Sequence, residues 1–133
     1  MYESDEVSGP GGATKRILIA DDKEAGRELV RTILENQGFE VIEASDGIQA
    51  LELAHRTQPD LIILDLHMPG LDGFNVIKEL RLDQRFVATP IVALTASAMQ
   101  GDYHRALSAG FTGYITKPVS LRRLREAVER LLA

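Results

Sequence analysis

The chain has 133 residues, of which 44% are hydrophobic and 26% are charged, a composition typical of one globular domain with its own core. Its 20 acidic and 15 basic residues give a formal net charge of −5, which argues against broad binding to nucleic-acid phosphates. There is no cysteine, so disulfides and thiolate zinc sites are excluded. The apolar runs are too short to span a bilayer.

The first 14 residues, MYESDEVSGPGGAT, differ in character from the rest of the chain. They lack the charged segment followed by an apolar segment that marks a secretory signal. Pro10, Gly11 and Gly12 favour a flexible segment, and Tyr2 is the only large apolar side chain there. We therefore expect a flexible N-terminal tail over 1–14 and one domain over 15–133.

From Lys15 onward, apolar runs alternate with amphipathic stretches. The first run predicts a strand at about 16–20. The stretch after it predicts a helix at about 24–37, which ends before Gly38 in the C′ position. One face of this helix is predicted to be apolar and comprises Leu29, Val30, Ile33 and Leu34.

The second unit begins with a strand at about 40–44, whose mixed apolar and acidic residues suggest the edge of a sheet. Asp46 is predicted to cap the following helix, with Gln49 as its reciprocal partner. That helix should end before Pro59. Its predicted apolar residues are Ile48, Leu51 and Ala54.

The remaining units repeat this alternation. Strands are predicted at about 61–64, 91–94 and 113–116, and the first two are apolar throughout, as central parallel strands are. A turn with Gly70 and Gly73 leads into the third helix, a fourth helix is predicted at about 100–109, and Ser120 can cap the fifth. The predicted apolar stripes are Phe74, Ile77 and Leu80 in the third helix, and Leu121, Leu124, Val128, Leu131 and Leu132 in the fifth.

Five strand–helix units predict an α/β fold, a parallel sheet with helices on both faces. Ligands of such sheets bind at the carboxyl ends of the strands. Asp22, Asp65, Thr95 and Lys117 stand at or just after predicted strand ends. These four residues are therefore expected to meet at one edge of the sheet.

Asp65 closes the apolar run Leu-Ile-Ile-Leu, and burying its charge costs free energy unless a partner uses it. With Asp21 and Asp22 it would form a group of three carboxylates that repel one another unless a cation compensates them. Magnesium suits such a site, because it takes hard oxygen ligands and keeps waters. Lys117 adds a positive charge and Thr95 a hydroxyl, so the set predicts phosphoryl transfer with Asp65 as the nucleophile.

These residues also resemble the receiver domain of two-component response regulators. The resemblance rests on motifs that occur in order, each after its own strand. They are Asp21-Asp22, Leu64-Asp65 with Met68-Pro69-Gly70 and Asp72-Gly73, Leu94-Thr95-Ala96, and Gly113 to Pro118. The resemblance implies a flavodoxin-like, doubly wound (βα)5 fold with strand order 2-1-3-4-5.

The resemblance also implies a role for each residue of the site. Asp65 would accept phosphate from a phosphohistidine, carried by a sensor histidine kinase or a histidine phosphotransfer protein. Asp22, Asp65 and the His67 carbonyl would bind Mg²⁺ directly, and Asp21 mainly through water. The remaining implied roles are phosphoryl binding by Thr95 and Lys117, an aromatic switch at Tyr114, and a cis bond between Lys117 and Pro118.

Partners follow from the same resemblance. The surface of the fourth helix, fifth strand and fifth helix is expected to serve a homodimer or a downstream target, with Tyr103, His104 and Arg122 as contact residues. The resemblance further implies a cytoplasmic signalling protein that catalyses only its own phosphorylation and dephosphorylation. We expect no output domain in these residues, no direct binding to nucleic acid and no membrane attachment.

Several alternatives remain open at this stage. Asp21 and Asp22 also fit a favourable charge at a helix N-terminus, Tyr114 fits a packing residue, and Gly70 and Gly73 fit turn geometry alone. The whole chain could be an aspartyl-nucleophile phosphatase, a flavin carrier, or a degenerate receiver that only binds partners. The residue two after Asp65 is His67, and we hypothesise that its ring, with Ser97 across the site, affects water attack on the acyl phosphate.

Overall fold

The computed structural model describes residues 14–96 and 100–133. The predicted flexible tail, apart from Thr14, lies outside the described residues, and so does Ser97. None of the helices in the described part of the chain has the length and apolar character needed to cross a membrane.

Five strands alternate with five helices along the described residues, as the sequence predicts. The strands are β1 (Arg16–Ala20), β2 (Glu40–Ala44), β3 (Leu61–Asp65), β4 (Ile91–Thr95) and β5 (Gly113–Thr116). The helices are α1 (Glu24–Asn36), α2 (Gly47–Thr57), α3 (Gly73–Arg81), α4 (Gln100–Ala109) and α5 (Leu121–Leu132). A short 3-10 turn, Gln84–Phe86, lies between α3 and β4.

All neighbouring strands pair in parallel, in the order β2-β1-β3-β4-β5. This is the predicted order 2-1-3-4-5, with β2 at an edge as expected. Both β3 and β4 are buried along their whole length. Each runs one residue longer than predicted and ends on a polar residue, Asp65 in β3 and Thr95 in β4.

Two apolar layers enclose the sheet because successive strand residues point to opposite faces. On one face, Leu18, Ile62 and Leu64 pack with residues of α2, α3 and α4. On the other face, Ile19 and Ile63 pack with α1 and α5. The doubly wound (βα)5 architecture is therefore confirmed.

Three residues of the predicted apolar stripes are exposed instead. Ile48 is 69% exposed, Leu121 is 53% exposed and Leu29 is 48% exposed. In α2 the buried residues are the small ones, Gly47, Ala50 and Ala54. A Cβ atom on Gly47 would lie only 1.9 Å from the Leu71 carbonyl oxygen, so α2 begins in close contact with the chain at Leu71, while Ala54 of the predicted stripe stays buried.

The predicted helix ends are largely confirmed. Gly38 and Gly110 have positive φ values of 97° and 107°, as C′ glycines do, and Ser120 accepts a hydrogen bond from the Arg123 amide. Asp46 caps α2 by accepting from the Gln49 amide. The predicted reciprocal bond is displaced by one residue, because the Gln49 side chain accepts from the Ser45 amide.

Candidate functional site

Polar residues that follow β1, β3 and β5 meet at the carboxyl edge of the sheet. Asp21 comes directly after β1, Asp65 ends β3, and Lys117 follows β5. Because β1 pairs with β3 in parallel, with Ala20 beside Leu64, both carboxylates emerge at the same edge. The strand ends therefore bring these predicted site residues together.

The three predicted carboxylates form one cluster. Asp21, Asp22 and Asp65 each offer an oxygen, and these oxygens all lie within 4.8 Å of one another. Asp21 is fully buried, Asp65 is 4% exposed and Asp22 is partly exposed. A set of hard carboxylate oxygens with one partly exposed member fits Mg²⁺, which binds one or two carboxylates and retains waters.

Lys117 bridges the two buried acids. Its Nζ atom lies 2.9 Å from Asp21 Oδ2 and 2.7 Å from Asp65 Oδ2. Burial acts to lower the pKa of the Lys117 ammonium, but the hydrogen bonds to Asp65 and Asp21 outweigh burial and raise that pKa. Lys117 is therefore a charged counter-ion for both carboxylates, although it lies 52 residues from Asp65 in the chain.

Asp65 remains an energetically costly charge despite these contacts. Burial raises the pKa of its carboxyl group, and the hydrogen bonds from Lys117 and the His67 amide offset only part of that effect. The His67 amide donates to Asp65 Oδ1 at 2.8 Å. One ammonium shared by two buried carboxylates leaves an excess of negative charge, which a further cation would relieve.

The β3–α3 turn holds the Asp65 backbone as well as its side chain. A Cβ atom on Gly73 would lie 2.5 Å from the Asp65 carbonyl oxygen, so only glycine allows α3 to begin this close to β3. The sequence favours turn geometry alone as the role of Gly70 and Gly73. It fits Gly70, whose φ is 76°, but it is wrong for Gly73, which serves close packing.

Thr95 and Tyr114 form a second part of the site. Thr95 is fully buried at the end of β4, and its side chain hydrogen-bonds to Tyr114. Burial raises the pKa of Tyr114, and the bond with Thr95 offsets part of the shift. The Tyr114 ring also packs edge-on against Tyr103 of α4, with ring centroids 5.4 Å apart, so these contacts connect the end of β4 to the surface of α4.

Other predicted residues are only partly accounted for. The His67 side chain is exposed. Ser97 lies outside the described residues, so the joint role of the His67 ring and Ser97 stays a hypothesis. The predicted role of the His67 carbonyl as a metal ligand also stays a prediction. The Lys117–Pro118 peptide bond is cis, as the resemblance implies.

Sequence reasoning missed two residues that touch the cluster, Gly26 and Arg27. A Cβ atom on Gly26 would lie 2.7 Å from Asp21 Oδ2, so glycine in the first turn of α1 makes room for that carboxylate. Arg27 donates to the Asp21 carbonyl oxygen at 2.8 Å and to Glu43 at 3.2 Å. An arginine in the first turn opposes the usual charge preference of a helix N-terminus, and that signal could have drawn attention to Arg27.

An apolar groove of about 240 Å³ opens beside the cluster, between α1 and the chain after β5. Leu29, Pro118 and Val119 form part of its wall, and Asp21 and Lys117 lie at the same groove. The unexpected exposure of Leu29 is thus located next to the acidic site.

Known proteins share both the sequence pattern and the fold. Residues 17–129 match the family described as the response regulator receiver domain. The polar-differentiation response regulator DivK of Brucella ovis is 38% identical over 119 residues, which cover 90% of this chain and 97% of DivK.

Two solved structures illustrate the similarity of the fold. Vibrio cholerae chemotaxis protein CheY4 superimposes with a TM-score of 0.85 at 32% identity, covering 90% of this chain and 99% of that one. The receiver domain of a sensor histidine kinase from Pseudomonas aeruginosa PAO1 gives a TM-score of 0.83 at 34% identity, covering 90% and 98%. That structure has a magnesium ion coordinated in its active site cleft.

Proposed function

The chain belongs to the response regulator receiver domain family of two-component signalling, and we propose that it is a phosphoacceptor whose nucleophile is Asp65. The observation that carries this proposal is the contact between Asp65 and Lys117 within the cluster of three acids. Asp65 is a carboxylate on a rigid strand end, beside a cation that can neutralise incoming phosphate charge.

Mg²⁺ would be held by Asp22 and Asp65, with Asp21 acting mainly through water and the His67 carbonyl as a further ligand. The proximity of the three carboxylates supports this assignment. A bound Mg²⁺ would supply charge neutralisation for the phosphoryl oxygens and for the crowded acids. The same ion is reported for the Pseudomonas aeruginosa relative.

The donor would be a phosphohistidine of a sensor kinase or of a histidine phosphotransfer protein. An Asp65 carboxylate oxygen forms a bond to phosphorus while the phosphorus–nitrogen bond of the donor breaks, and the electron pair of that bond returns to the imidazole. Asp65 needs no general base for this step, because a carboxylate is already an anion. Hydrolysis of the acyl phosphate later regenerates the carboxylate, so the chain would catalyse only its own phosphorylation and dephosphorylation.

Lys117 and Thr95 would bind the oxygens of the transferred phosphoryl group. Lys117 already contacts Asp65 Oδ2, so its ammonium group would lie close to the phosphoryl oxygens. Thr95 is buried at the end of the neighbouring strand and would offer its hydroxyl as a donor. Its hydrogen bond to Tyr114 supports a link between phosphorylation and the aromatic switch.

The phosphodonor would approach over the groove beside Lys117. Leu29 and Pro118 are exposed there and Val119 is half-buried, and an apolar wall next to a charged centre suits a protein partner. The surface of α4, β5 and α5 would receive a second copy or a downstream target. Tyr103 and Arg122 are exposed on that surface, as is His104. We place this signalling role in the cytoplasm.

Incubation with phosphoramidate, with and without Mg²⁺, tests the proposal by intact mass. The wild-type protein should gain one phosphoryl group only with Mg²⁺, and Asp65→Asn should gain none. Asp46→Asn is the matched control, because it also removes one acid but keeps a capping side chain. Absence of a wild-type adduct would favour a degenerate receiver, and repeated turnover of a phosphomonoester would favour a phosphatase.

A further inference from the structure

Asp21 and Asp22 lie in the loop before α1, and the N-cap of that helix is unusual. Within the described residues, the N-cap of α1 is Lys23, and its side chain makes no capping hydrogen bond. The Lys23 amide instead donates to Asp21 Oδ1 at 3.0 Å. This bond and the backbone bond from the Asp21 amide to the Ala44 carbonyl hold one side of the loop.

Arg27 supplies a second side-chain contact to the loop backbone. Its Nη1 atom donates to the Asp21 carbonyl oxygen at 2.8 Å. This carbonyl belongs to the peptide bond that connects Asp21 to Asp22. Any rotation of that peptide would move the Asp22 carboxylate, so the Arg27 contact bears directly on where Asp22 points.

Glu43 of β2 holds Arg27 in place. Arg27 Nε donates to Glu43 Oε1 at 3.2 Å, and the side chains of Arg27 and Glu43 are only 15% and 29% exposed. Arg31 occupies the other oxygen, Oε2, at 2.7 Å. Burial acts to raise the pKa of Glu43, but the hydrogen bonds from Arg31 and Arg27 outweigh it and hold that pKa below its usual value.

We propose that Arg27, anchored by Glu43, is a positioning residue that fixes the Asp21–Asp22 backbone and thereby sets the Mg²⁺ affinity of the acidic cluster. This inference rests on the proposed function, because it concerns the same cluster. A planar guanidinium can donate to two acceptors at once through its fork. A lysine at this position keeps the charge but lacks that geometry, so charge and positioning can be separated.

Arg31 provides a matched control. It lies one turn further along α1 and binds the same Glu43 carboxylate, and its other ion-pair partners are Glu28 and Glu35 of α1. Replacing Arg31 by Met removes a charge and an ion pair from the same network. Contacts to the Asp21 carbonyl come from Arg27 instead.

The first readout is the dissociation constant for Mg²⁺, measured by isothermal titration calorimetry. Arg27→Met and Arg27→Lys should both raise it by roughly tenfold, a typical effect of losing a group that orients metal ligands. Glu43→Gln should act in the same direction. Arg31→Met should stay within about twofold of wild type, and the phosphorylation rate of the Arg27 variants should recover at saturating Mg²⁺.

The second readout needs no metal. Amide hydrogen exchange in buffer with a chelator reports the Lys23 amide, which donates to Asp21. Exchange there should accelerate in Arg27→Lys and not in Arg31→Met, while exchange in β3 stays slow in both. If wild type binds no Mg²⁺, the proposed function fails, but this readout still decides on the role of Arg27. Equal behaviour of the Arg27→Lys and Arg31→Met proteins would overturn the inference.

Discussion

The Nζ atom of Lys117 lies 2.7 Å from Oδ2 of Asp65, so an ammonium group from the end of β5 neutralises a carboxylate at the end of β3. The same Nζ atom lies 2.9 Å from Asp21 Oδ2. This shared ion pair makes the buried acids tolerable in the fold. It also sets a cation beside the residue that we propose as the nucleophile.

Removal of Lys117 should destabilise the protein when no metal is present. Lys117→Met leaves two buried carboxylates without their counter-ion. We expect a loss of about 2 kcal/mol in the free energy of unfolding, below the ~3–5 kcal/mol typical of fully buried pairs because Lys117 is partly exposed. Urea unfolding in buffer with a chelator measures the loss, and added Mg²⁺ should recover part of it.

Lys78→Met is the control for Lys117, because Lys78 is an exposed lysine of α3. Its stability should change by less than about 0.5 kcal/mol. A Lys117→Met protein as stable as wild type in the absence of Mg²⁺ would show that Lys117 is not the counter-ion of the cluster.

Gly26→Ala should weaken Mg²⁺ binding more than it changes stability. The new Cβ would lie 2.7 Å from Asp21 Oδ2, the oxygen that Lys117 contacts, so the carboxylate must shift. Alanine is favoured over glycine in a helix by about 1 kcal/mol, which offsets part of the cost of that shift. Calorimetry should show a several-fold weaker affinity in Gly26→Ala, whereas the exposed change Thr32→Ala on α1 should leave the affinity unaltered.

His67→Asn should lengthen the lifetime of the acyl phosphate. The His67 side chain is exposed two residues after Asp65, and an imidazole ring can accept a proton from attacking water. We expect a change of about tenfold or less, because an exposed ring is not held in one orientation. His55→Asn on α2 is the control, and equal half-lives for wild type and His67→Asn would remove His67 from the reaction.

Asp83 should make the stability of the fold depend on pH, independently of the acidic cluster. Hydrogen bonds from the Arg85 side chain and amide hold its pKa down to about 2, below the ordinary value of about 3.9. A depressed folded-state pKa stabilises the fold above pH ~4, and that stabilisation is lost as the pH falls toward 2. The difference in melting temperature between wild type and Asp83→Asn should therefore narrow from pH 5 to pH 3.

Arg85→Met is the companion variant for Asp83, because it removes the donor of the same ion pair. Its melting temperature should approach that of wild type over the same pH range. The double variant should lose less than the sum of the two single losses, as expected for residues in contact. A pH-independent gap between wild type and Asp83→Asn would contradict this interpretation.

Much of the fold could be predicted because its signals are local. Apolar runs predict the strands. Gly38 and Gly110 predict helix C-terminal ends and Ser120 predicts a helix N-terminal end, and all three behave as expected. The close approach of Gly47 to the Leu71 carbonyl could not be predicted, and neither could the exposure of the neighbouring Ile48. Periodicity alone carries no information on such distances.

The same division applies to the site. The strand ends place Asp21, Asp65 and Lys117 together because parallel strands share one carboxyl edge. The Arg27 contact with the Asp21 carbonyl and with Glu43 could not be predicted, because it depends on how α1 lies over β2. Local patterns thus predict which residues arrive at the site, and tertiary packing decides how they are held.

The most direct test of the account locates the phosphorylated residue. Protein treated with phosphoramidate and Mg²⁺ is reduced with borohydride, which converts an aspartyl phosphate to homoserine, and the peptides are sequenced by mass spectrometry. The account predicts homoserine at position 65 and unmodified aspartate at Asp21 and Asp22. Homoserine at Asp21 or Asp22, or none at any position in a sample treated in this way, would contradict it.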